Sequence, residues 1–456
     1  MSLLSNVGSK VLYPHQITAV EWMIARENET IGSGGLLCDE MGLGKTLTTV
    51  SLLLNKPVAH SLILGPLAVL DQWATVIKTT SLALFLIVGG AWKQVHGSVR
   101  RGRVYIANYE KLIFNSKVFK EVSWDRLVCD EAHMIRNYKS KKFVALKKLK
   151  FTHKWFLTGT PIVNRVQDIG ALMRLLIRAN PKTATTEKAV EWMGRYALQR
   201  TTNQLRESLT LCPEPIVHKH QLEFKTEEEA IFYRGVQGIL AEALEELMSQ
   251  DRMDMIMFLA LLIRLRQLST HPQVYIESRR KQLGKAYKRE DWVGDSTKTE
   301  AIVNILNEDA EPHGFVIFCH FNEEINILKE RLEREGANVF VYNGSMSAAQ
   351  RTAVIEETKK VSDKNVVLLA QIQTAGTGLN LQHLDRVIFT SPWWTAALMD
   401  QAVGRVVRLG QQKQVHVHYL ALVEEQTINI DEYINERVEG KRDLCTQLLA
   451  AANHEL

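Results

Sequence analysis

The chain has 456 residues and a mass of 51.9 kDa, which at about 150 residues per domain allows three domains, or two large units with something between them. A composition of 46% hydrophobic and 23% charged residues, with 26 Gly and 10 Pro, excludes collagen-like, low-complexity and intrinsically disordered chains. The formal charge of +5 is a weak pointer to a polyanionic partner, because a small excess usually reflects a solvated surface.

The longest apolar run, Met255 to Ile263, falls far short of the roughly 20 residues that cross a bilayer. The first residues show no basic start followed by an apolar stretch and a cleavage site. The sequence therefore predicts an intracellular protein without membrane contact: nuclear if eukaryotic, otherwise in the cytoplasm or at a viral replication site. Cys38, Cys129, Cys212, Cys319 and Cys445 are odd in number and far apart, with no CxxC or Cys/His cluster, so buried free thiols and no structural zinc are expected.

In chain order, strand-like runs fall at Gly35–Cys38, Ser61–Leu64, Arg103–Ala107, Arg126–Cys129 and Lys154–Leu157, with helical stretches between them. That alternation predicts βαβ units and a mainly parallel sheet covered on both faces. From Thr226 to Leu268 the pattern is helical, led by Glu227, Glu228 and Glu229 where acidic groups complement the helix dipole. Glu277 to Thr297 has few apolar residues and reads as a surface linker. A second series of strands follows at Gly314–Cys319, Asn338–Tyr342, Val366–Ala370, Arg386–Thr390 and Val415–Tyr419. The expected fold class is α/β with two parallel-sheet lobes, residues 1–205 and 296–456, joined by a helical bridge and linker over 206–295.

Three segments carry chemistry. The strand GGLLC leads into Asp39, Glu40, Met41, Gly42, Leu43, Gly44, Lys45 and Thr46 and then an apolar helix. The two glycines let backbone N–H groups curl around phosphate oxygens, Lys45 can reach the β and γ phosphates, and the Thr46 hydroxyl can ligate Mg²⁺. Asp39 stands where such loops usually begin with Gly. The strand RLVC ends in Asp130-Glu131-Ala132-His133, where Asp130 can hold Mg²⁺ through water and Glu131 can orient or deprotonate the attacking water. Near the C-terminal end, Arg405 and Arg408 are spaced to share one helical face, and guanidinium groups can neutralise charge developing on a transferred phosphoryl group.

From Ala132 through Gln167 there is no acidic residue, while Arg136, Lys139, Lys141, Lys142, Lys147, Lys148, Lys150, Lys154 and Arg165 supply nine positive charges. Such a face can contact duplex phosphates without reading bases.

Together these motifs closely resemble the Swi/Snf-type ATPases, the double-stranded-DNA translocase branch of superfamily-two helicases. The resemblance covers nearly the whole chain. It extends through Tyr13-Pro-His-Gln16, GPLAVLDQW from Gly65, LTGTPIVN from Leu157, the Arg264-Leu-Arg-Gln run ending in His271-Pro272 with Ser269 where Cys is common, VIFCHF from Val316, YNGSMS from Tyr342, TAGTGLNLQ from Thr374 and SPWWTAALMDQ from Ser391. It implies two RecA-like lobes, adenine recognition by Gln16, and an ATP- and Mg²⁺-dependent monomeric motor that tracks double-stranded DNA and displaces DNA-bound complexes without separating strands. A strand-separating helicase and an inactive DNA-bound scaffold are the alternatives. It further implies that Thr160, Asn343, Gly344, Ser345 and Thr374 touch the tracked strand and that Trp394 touches DNA, beside Arg136, Lys141 and Lys142 of the basic stretch. Within the family the sequence is most similar to a DNA-repair branch that usually inserts a RING finger, which is absent here. Thr395-Ala396, Gly404 and Val407 depart from the family pattern.

Overall fold

Short runs of Val, Ile, Leu and Phe become strands because β-branched and aromatic side chains fit a pleated surface that is buried on both faces. The computed structural model describes residues 5–99, 102–159, 166–205, 213–249, 255–360, 362–375, 379–408, 411–424 and 429–439. The chain divides into two units, the first running to Leu211 and the second taking Cys212 to Glu439 apart from Thr377–Leu379.

The first unit opens with a hairpin of β1 (Asn6–Val7) and β2 (Lys10–Val11). Its main sheet holds β3 (Gly34–Leu37), β4 (His60–Gly65), β5 (Ala83–Val88), β6 (Ala91–His96), β7 (Arg103–Asn108), β8 (Arg126–Asp130), β9 (His153–Leu157) and β10 (Ala197–Leu198), in the order β10-β3-β9-β8-β4-β7-β5-β6. All pairs are parallel except β5 with the edge strand β6. Alternation along each strand feeds two cores: Leu36 and Leu62 point to the face covered by helices Gln167–Ile177 and Thr186–Tyr196, while Leu37 and Ile63 point to the face covered by Pro14–Glu27, Lys45–Asn55 and Leu67–Lys78. β5, β6 and β10 were not anticipated from the sequence. β6 is polar and largely exposed, and β10 has only two residues.

The second unit contains β11 (Ile216–Leu222), β12 (Gly314–Cys319), β13 (Asn338–Tyr342), β14 (Val366–Gln371), β15 (Arg386–Phe389) and β16 (His416–Leu422) in the fully parallel order β11-β16-β15-β12-β14-β13. The helices Glu227–Ser249, Met255–Thr270 and Pro272–Leu283, which the sequence reading set apart as a bridge, belong to this unit. The first part of the stretch read as a linker is helix. Pro272 sits at a helix start that His271 caps, Val274, Tyr275 and Ile276 are buried, and Arg280 and Lys281 close the last turn, where cations oppose the carbonyl end of the dipole. Cys38, Cys129 and Cys319 are buried free thiols.

One buried ion pair ties the first unit's helix Pro14–Glu27 to its sheet. Arg126, at the start of β8, donates from Nε and Nη2 to the two Glu27 oxygens at 2.6 Å each, and Trp155 Nε1 donates to Glu27 at 2.8 Å. Both charged side chains are 0% exposed. Burial raises the Glu27 carboxyl pKa, but Arg126 and Trp155 outweigh it, and the carboxyl lies below its ordinary 4.5. Because the folded value is depressed, the contribution is complete above that ordinary value and is lost as pH falls through the depressed one. Glu27→Gln leaves the Arg126 guanidinium buried without its counter-ion. It should destabilise the first unit by about 3–5 kcal/mol in urea unfolding at pH 7, and the gap from wild type should narrow as the buffer is acidified.

Candidate functional site

Four neighbouring strands, β10, β3, β9 and β8, deliver their C-terminal ends to one edge of the first sheet, the edge at which open parallel sheets bind ligands. β3 runs into the loop Asp39–Gly44, and the helix Lys45–Asn55 starts directly after it. Gly42 and Gly44 take φ of 91° and 84°, left-handed backbone that strains any residue with a Cβ. At Gly44 a Cβ would also stand 2.2 Å from Gln16 Nε2, so contact as well as conformation requires glycine.

Gln16 donates from Nε2 to Leu43 O at 3.1 Å and accepts the Tyr13 N–H at 3.0 Å. His15 Nε2 donates to the same Leu43 carbonyl at 3.0 Å. Burial, the largest influence on the His15 ring, lowers its pKa, and its Nδ1 is buried without a hydrogen-bond partner. The Gln16 side chain, 1% exposed, thus braces the loop, and adenine would meet an amide whose two ends are already engaged.

Asp39 is fully buried. Arg200, just beyond β10, donates from Nε to Asp39 Oδ1 at 2.9 Å, from Nη2 to Oδ2, and from Nη1 to His15 O. The backbone stitches the same seam: Cys38 N–H to Leu198 O at 2.7 Å and Glu40 N–H to Arg200 O at 2.9 Å. Arg200 explains why Asp is tolerated where a glycine usually begins the loop, and sequence reasoning missed it. The only signal was a carboxylate in a loop destined to be buried, which requires a cation.

Lys45 Nζ donates to Asp39 O at 2.6 Å and Glu40 O at 3.3 Å. Gly159, beyond β9, closes against the loop, since a Cβ there would lie 3.2 Å from Met41 Cγ and 3.8 Å from Lys45 Nζ. β8 ends at Asp130, whose carboxylate accepts Trp73 Nε1 at 2.7 Å and the Glu131 N–H at 2.9 Å, while its carbonyl accepts Tyr109 OH at 2.8 Å. Burial, then the Glu131 charge, push the Asp130 carboxyl up to about 6, against the pull of Trp73 and Lys45. Trp73 lies in the GPLAVLDQW stretch, and its role in aiming Asp130 is a second residue assignment the sequence did not yield. Glu131 has φ 48° and ψ 52°, a left-handed conformation that costs a non-glycine residue about 1–2 kcal/mol, and it is buried. His133 Nδ1 lies 3.3 Å from Glu131 Oε2, without the alignment of a hydrogen bond.

One sheet edge therefore carries a glycine-shaped loop with backbone N–H groups and a lysine, the Thr46 hydroxyl in the following helix, and two carboxylates. These donors fit a polyphosphate and a hard divalent cation: the positive-φ glycines leave the cradle without a Cβ, and the raised Asp130 carboxyl is an oxygen ligand that a cation would hold ionised.

The basic stretch is reduced by its surroundings. Lys142 pairs with Glu110 at 2.7 Å and lies over the Tyr109 ring, Arg136 folds back onto His133 O at 3.1 Å, and Lys154 is half-buried in β9. Lys139, Lys141, Lys147, Lys148 and Lys150 are exposed. Thr160 and Arg165 lie outside the described residues.

In the second unit, Ser345 N–H and Oγ–H donate to Asn343 Oδ1, and Arg351 holds the carbonyls of Asn343 and Gly344. A Cβ on Gly344 would be 3.7 Å from Thr374 Oγ1, so the loop Asn343–Ser345 and Thr374, in the short helix Ile372–Ala375, form one cluster. Trp394 is half-buried and packs against an apolar cluster of Leu262, Ala396, Ile430 and Ile434. Trp393 stacks on His320 at 4.8 Å and carries the Arg266 guanidinium on its ring. Beneath them buried Lys298 donates to Ser269 Oγ at 3.1 Å, Ser391 Oγ at 2.5 Å and Asp431 Oδ2 at 2.6 Å, so the family's bridge run serves as a polar junction within this unit. The shared helical face expected for Arg405 and Arg408 is corrected: the helix Ala396–Val403 ends at Gly404, Arg405 follows in a turn and Arg408 in irregular backbone. Arg405 is buried and Arg408 half-buried.

The profile of the SNF2-related domain matches residues 15–274, and that of the helicase conserved C-terminal domain matches 297–410. A putative ATP-dependent helicase/translocase of Bacillus subtilis is 26% identical across 97% of this chain and 49% of its own length. A probable global transactivator of Orgyia pseudotsugata multicapsid polyhedrosis virus is 28% identical across 97% of this chain and 93% of its own. A mouse SWI/SNF-related regulator of chromatin, subfamily A member 1, is 28% identical across 96% and 43%. The chain thus spans about half the length of the bacterial relative and nearly all of the viral one. Among solved structures, a Sulfolobus solfataricus SWI2/SNF2 ATPase core in complex with double-stranded DNA covers 99% of this chain and 96% of that one at 26% identity, with a TM-score of 0.43.

Arg200→Met removes the only described counter-ion of buried Asp39 and frees the His15 carbonyl. It should weaken binding of a fluorescent ADP analogue at least about tenfold while secondary structure is retained, and Arg200→Lys should restore only part of the loss because an ammonium cannot bind the carboxylate bidentately.

Proposed function

The chain belongs to the SNF2-related domain family, and from that premise we propose that it is an Mg-ATP-driven motor on double-stranded DNA that displaces bound complexes without separating the strands. The observation that carries this reading is the meeting of the loop Asp39–Lys45 with Asp130 and Glu131 at one sheet edge.

In this reading the N–H groups of residues 42–46 receive the phosphate oxygens and Lys45 leaves its two loop carbonyls for the β and γ phosphates. Gln16 and His15 fix Leu43, and through it the loop, while Arg200 cancels the Asp39 charge that would otherwise repel an anion. Thr46 and Asp130 are the residues that would hold Mg²⁺, which when bound offsets phosphate charge. Glu131 accepts the proton of the attacking water, held by its buried, left-handed backbone. Arg405 and Arg408 are assigned to the charge that develops on the phosphoryl group. The exposed lysines of 139–150 follow directly after the Asp130 turn, and contacts from them to duplex phosphates would be independent of base sequence. The resemblance of LTGTP and the arginine motif to duplex-tracking enzymes favours double-stranded DNA over RNA.

Glu131→Gln should keep nucleotide binding and lose turnover by orders of magnitude, whereas Lys45→Ala should lose both. Wild-type protein with ATP should strip the third strand from a DNA triplex and leave a forked duplex intact. Efficient fork unwinding without triplex displacement would replace this reading with a strand-separating helicase. Neutralising Lys139, Lys141, Lys147 and Lys148 together should weaken duplex binding for every sequence and flatten its salt dependence, with basal ATPase retained.

A further inference from the structure

β11 and β16 pair in a parallel register that sets Ile216 opposite His416, His218 opposite His418 and His220 opposite Leu420. The two-residue alternation of strands therefore brings His218, His220, His416 and His418 to one face. His218 Nε2 lies 3.1 Å from His416 Nδ1, and His220 Nε2 lies 3.1 Å from His418 Nδ1. The rings of His218 and His418 stack with centroids 4.5 Å apart and planes 12° from parallel. His218, His416 and His418 each offer a ring nitrogen, and the three atoms lie within 4.8 Å of one another.

Strand pairing alone does not account for this arrangement. Apolar side chains would close β11 onto β16 without burying imidazole nitrogens, and His418, 2% exposed, has a buried Nε2 with no hydrogen-bond partner. Leaving such a group unsatisfied is unfavourable. A metal ion removes the problem. His218 and His416 now share a proton across their 3.1 Å contact, their rings 10° from parallel; with Zn–N bonds of about 2.0–2.1 Å, two nitrogens of a tetrahedral site stand roughly 3.3 Å apart, so an ion replacing that proton keeps nearly the same spacing while the His218, His416 and His418 rings turn toward it. An all-nitrogen donor set suits a borderline transition ion and not Mg²⁺ or Ca²⁺, which take oxygen.

We propose that His218, His416 and His418 bind a divalent zinc ion, with solvent in the fourth position, and that the ion fastens the edge strand β11 to β16. The site lies wholly within the second unit, and none of its ligands belongs to the nucleotide motifs. The spacing rules that predicted no structural zinc are blind to it, because the ligands come from strands nearly 200 positions apart in the chain. Fastening β11 is a folding contribution: the ion binds only when the two strands are paired.

The test uses the full chain, stripped with a chelator and titrated with Zn²⁺ by calorimetry in excess Mg²⁺, without nucleotide. One Zn²⁺ should bind per chain, Zn²⁺ should raise the unfolding temperature, and Co²⁺ should give the visible absorption of a tetrahedral site of three nitrogens and one oxygen. H218Q and H416Q, at half-buried positions, should each weaken Zn²⁺ binding at least about tenfold, whereas D130N should leave it unchanged. Unfolding curves of both histidine variants in chelator should match metal-free wild type, which separates lost ligation from lost structure; if either variant unfolds, H220Q with a Co²⁺ spectrum identical to wild type upholds the three-histidine set. Absence of saturable Zn²⁺ binding to wild type, or binding that persists in folded H218Q and H416Q, overturns the proposal. An outcome in which D130N abolishes binding overturns it as well, because it would put the zinc at the carboxylates of the first unit; the histidine-variant results leave the ATPase reading untouched.

Discussion

The loop Asp39–Gly44 depends on one buried charge being cancelled from outside it. Asp39 enters the interior at the point where β3 ends, and an unpaired carboxylate there would cost several kcal/mol and repel an anion brought to the loop. Arg200 meets it with a two-pronged contact and uses its remaining nitrogen on the His15 carbonyl. That single side chain joins the loop, the first turn of the helix Pro14–Glu27 and the end of β10. Gln16 then closes the loop from the other side, near enough to Gly44 that no side chain fits between them.

The rest of the first unit's edge follows from this frame. Because β10, β3, β9 and β8 are adjacent and parallel, their C-terminal ends set Arg200, the loop, Gly159 and the carboxylates in a row without long connections. Trp73 aims Asp130 and Tyr109 holds its carbonyl, leaving Glu131 to absorb the turn in a left-handed conformation. Backbone strain at a buried carboxylate beside a lysine-bearing loop is the pattern of a group held for chemistry. The second unit solves a related problem with Lys298, which is buried but meets Asp431 and two hydroxyls, so the polar junction under Trp393 is satisfied internally.

Much of this was legible in the sequence. Both parallel sheets, ten of their strands, the loop and the carboxylate pair follow from hydrophobic runs and short-range spacing. What escaped has physical causes. β10 is too short for any periodic signal. β11 reads IVHKHQL, whose histidines and lysine mask its alternation. Arg200 and the histidines act across long stretches of chain, where no spacing rule reaches. The arginines of the last motif fit helical spacing, but Gly404 ends the helix before them. Lys142 belongs to a basic run by sequence and to Glu110 by structure, because one-dimensional charge counts cannot see an acid supplied by a neighbouring helix. The packing of half-buried Trp394 against Ile430 and Ile434 joins residues whose contact no short-range spacing announces.

The central claim is that the edge built around Asp39, Lys45, Asp130 and Glu131 hydrolyses ATP in response to double-stranded DNA. The most direct measurement is steady-state ATP turnover with duplex DNA, single-stranded DNA and RNA supplied at equal nucleotide concentration, salt and Mg²⁺. The account predicts a rate with duplex DNA well above basal and above either single-stranded polymer. Equal or greater activation by RNA or single-stranded DNA, or no response to any of the three, would contradict it.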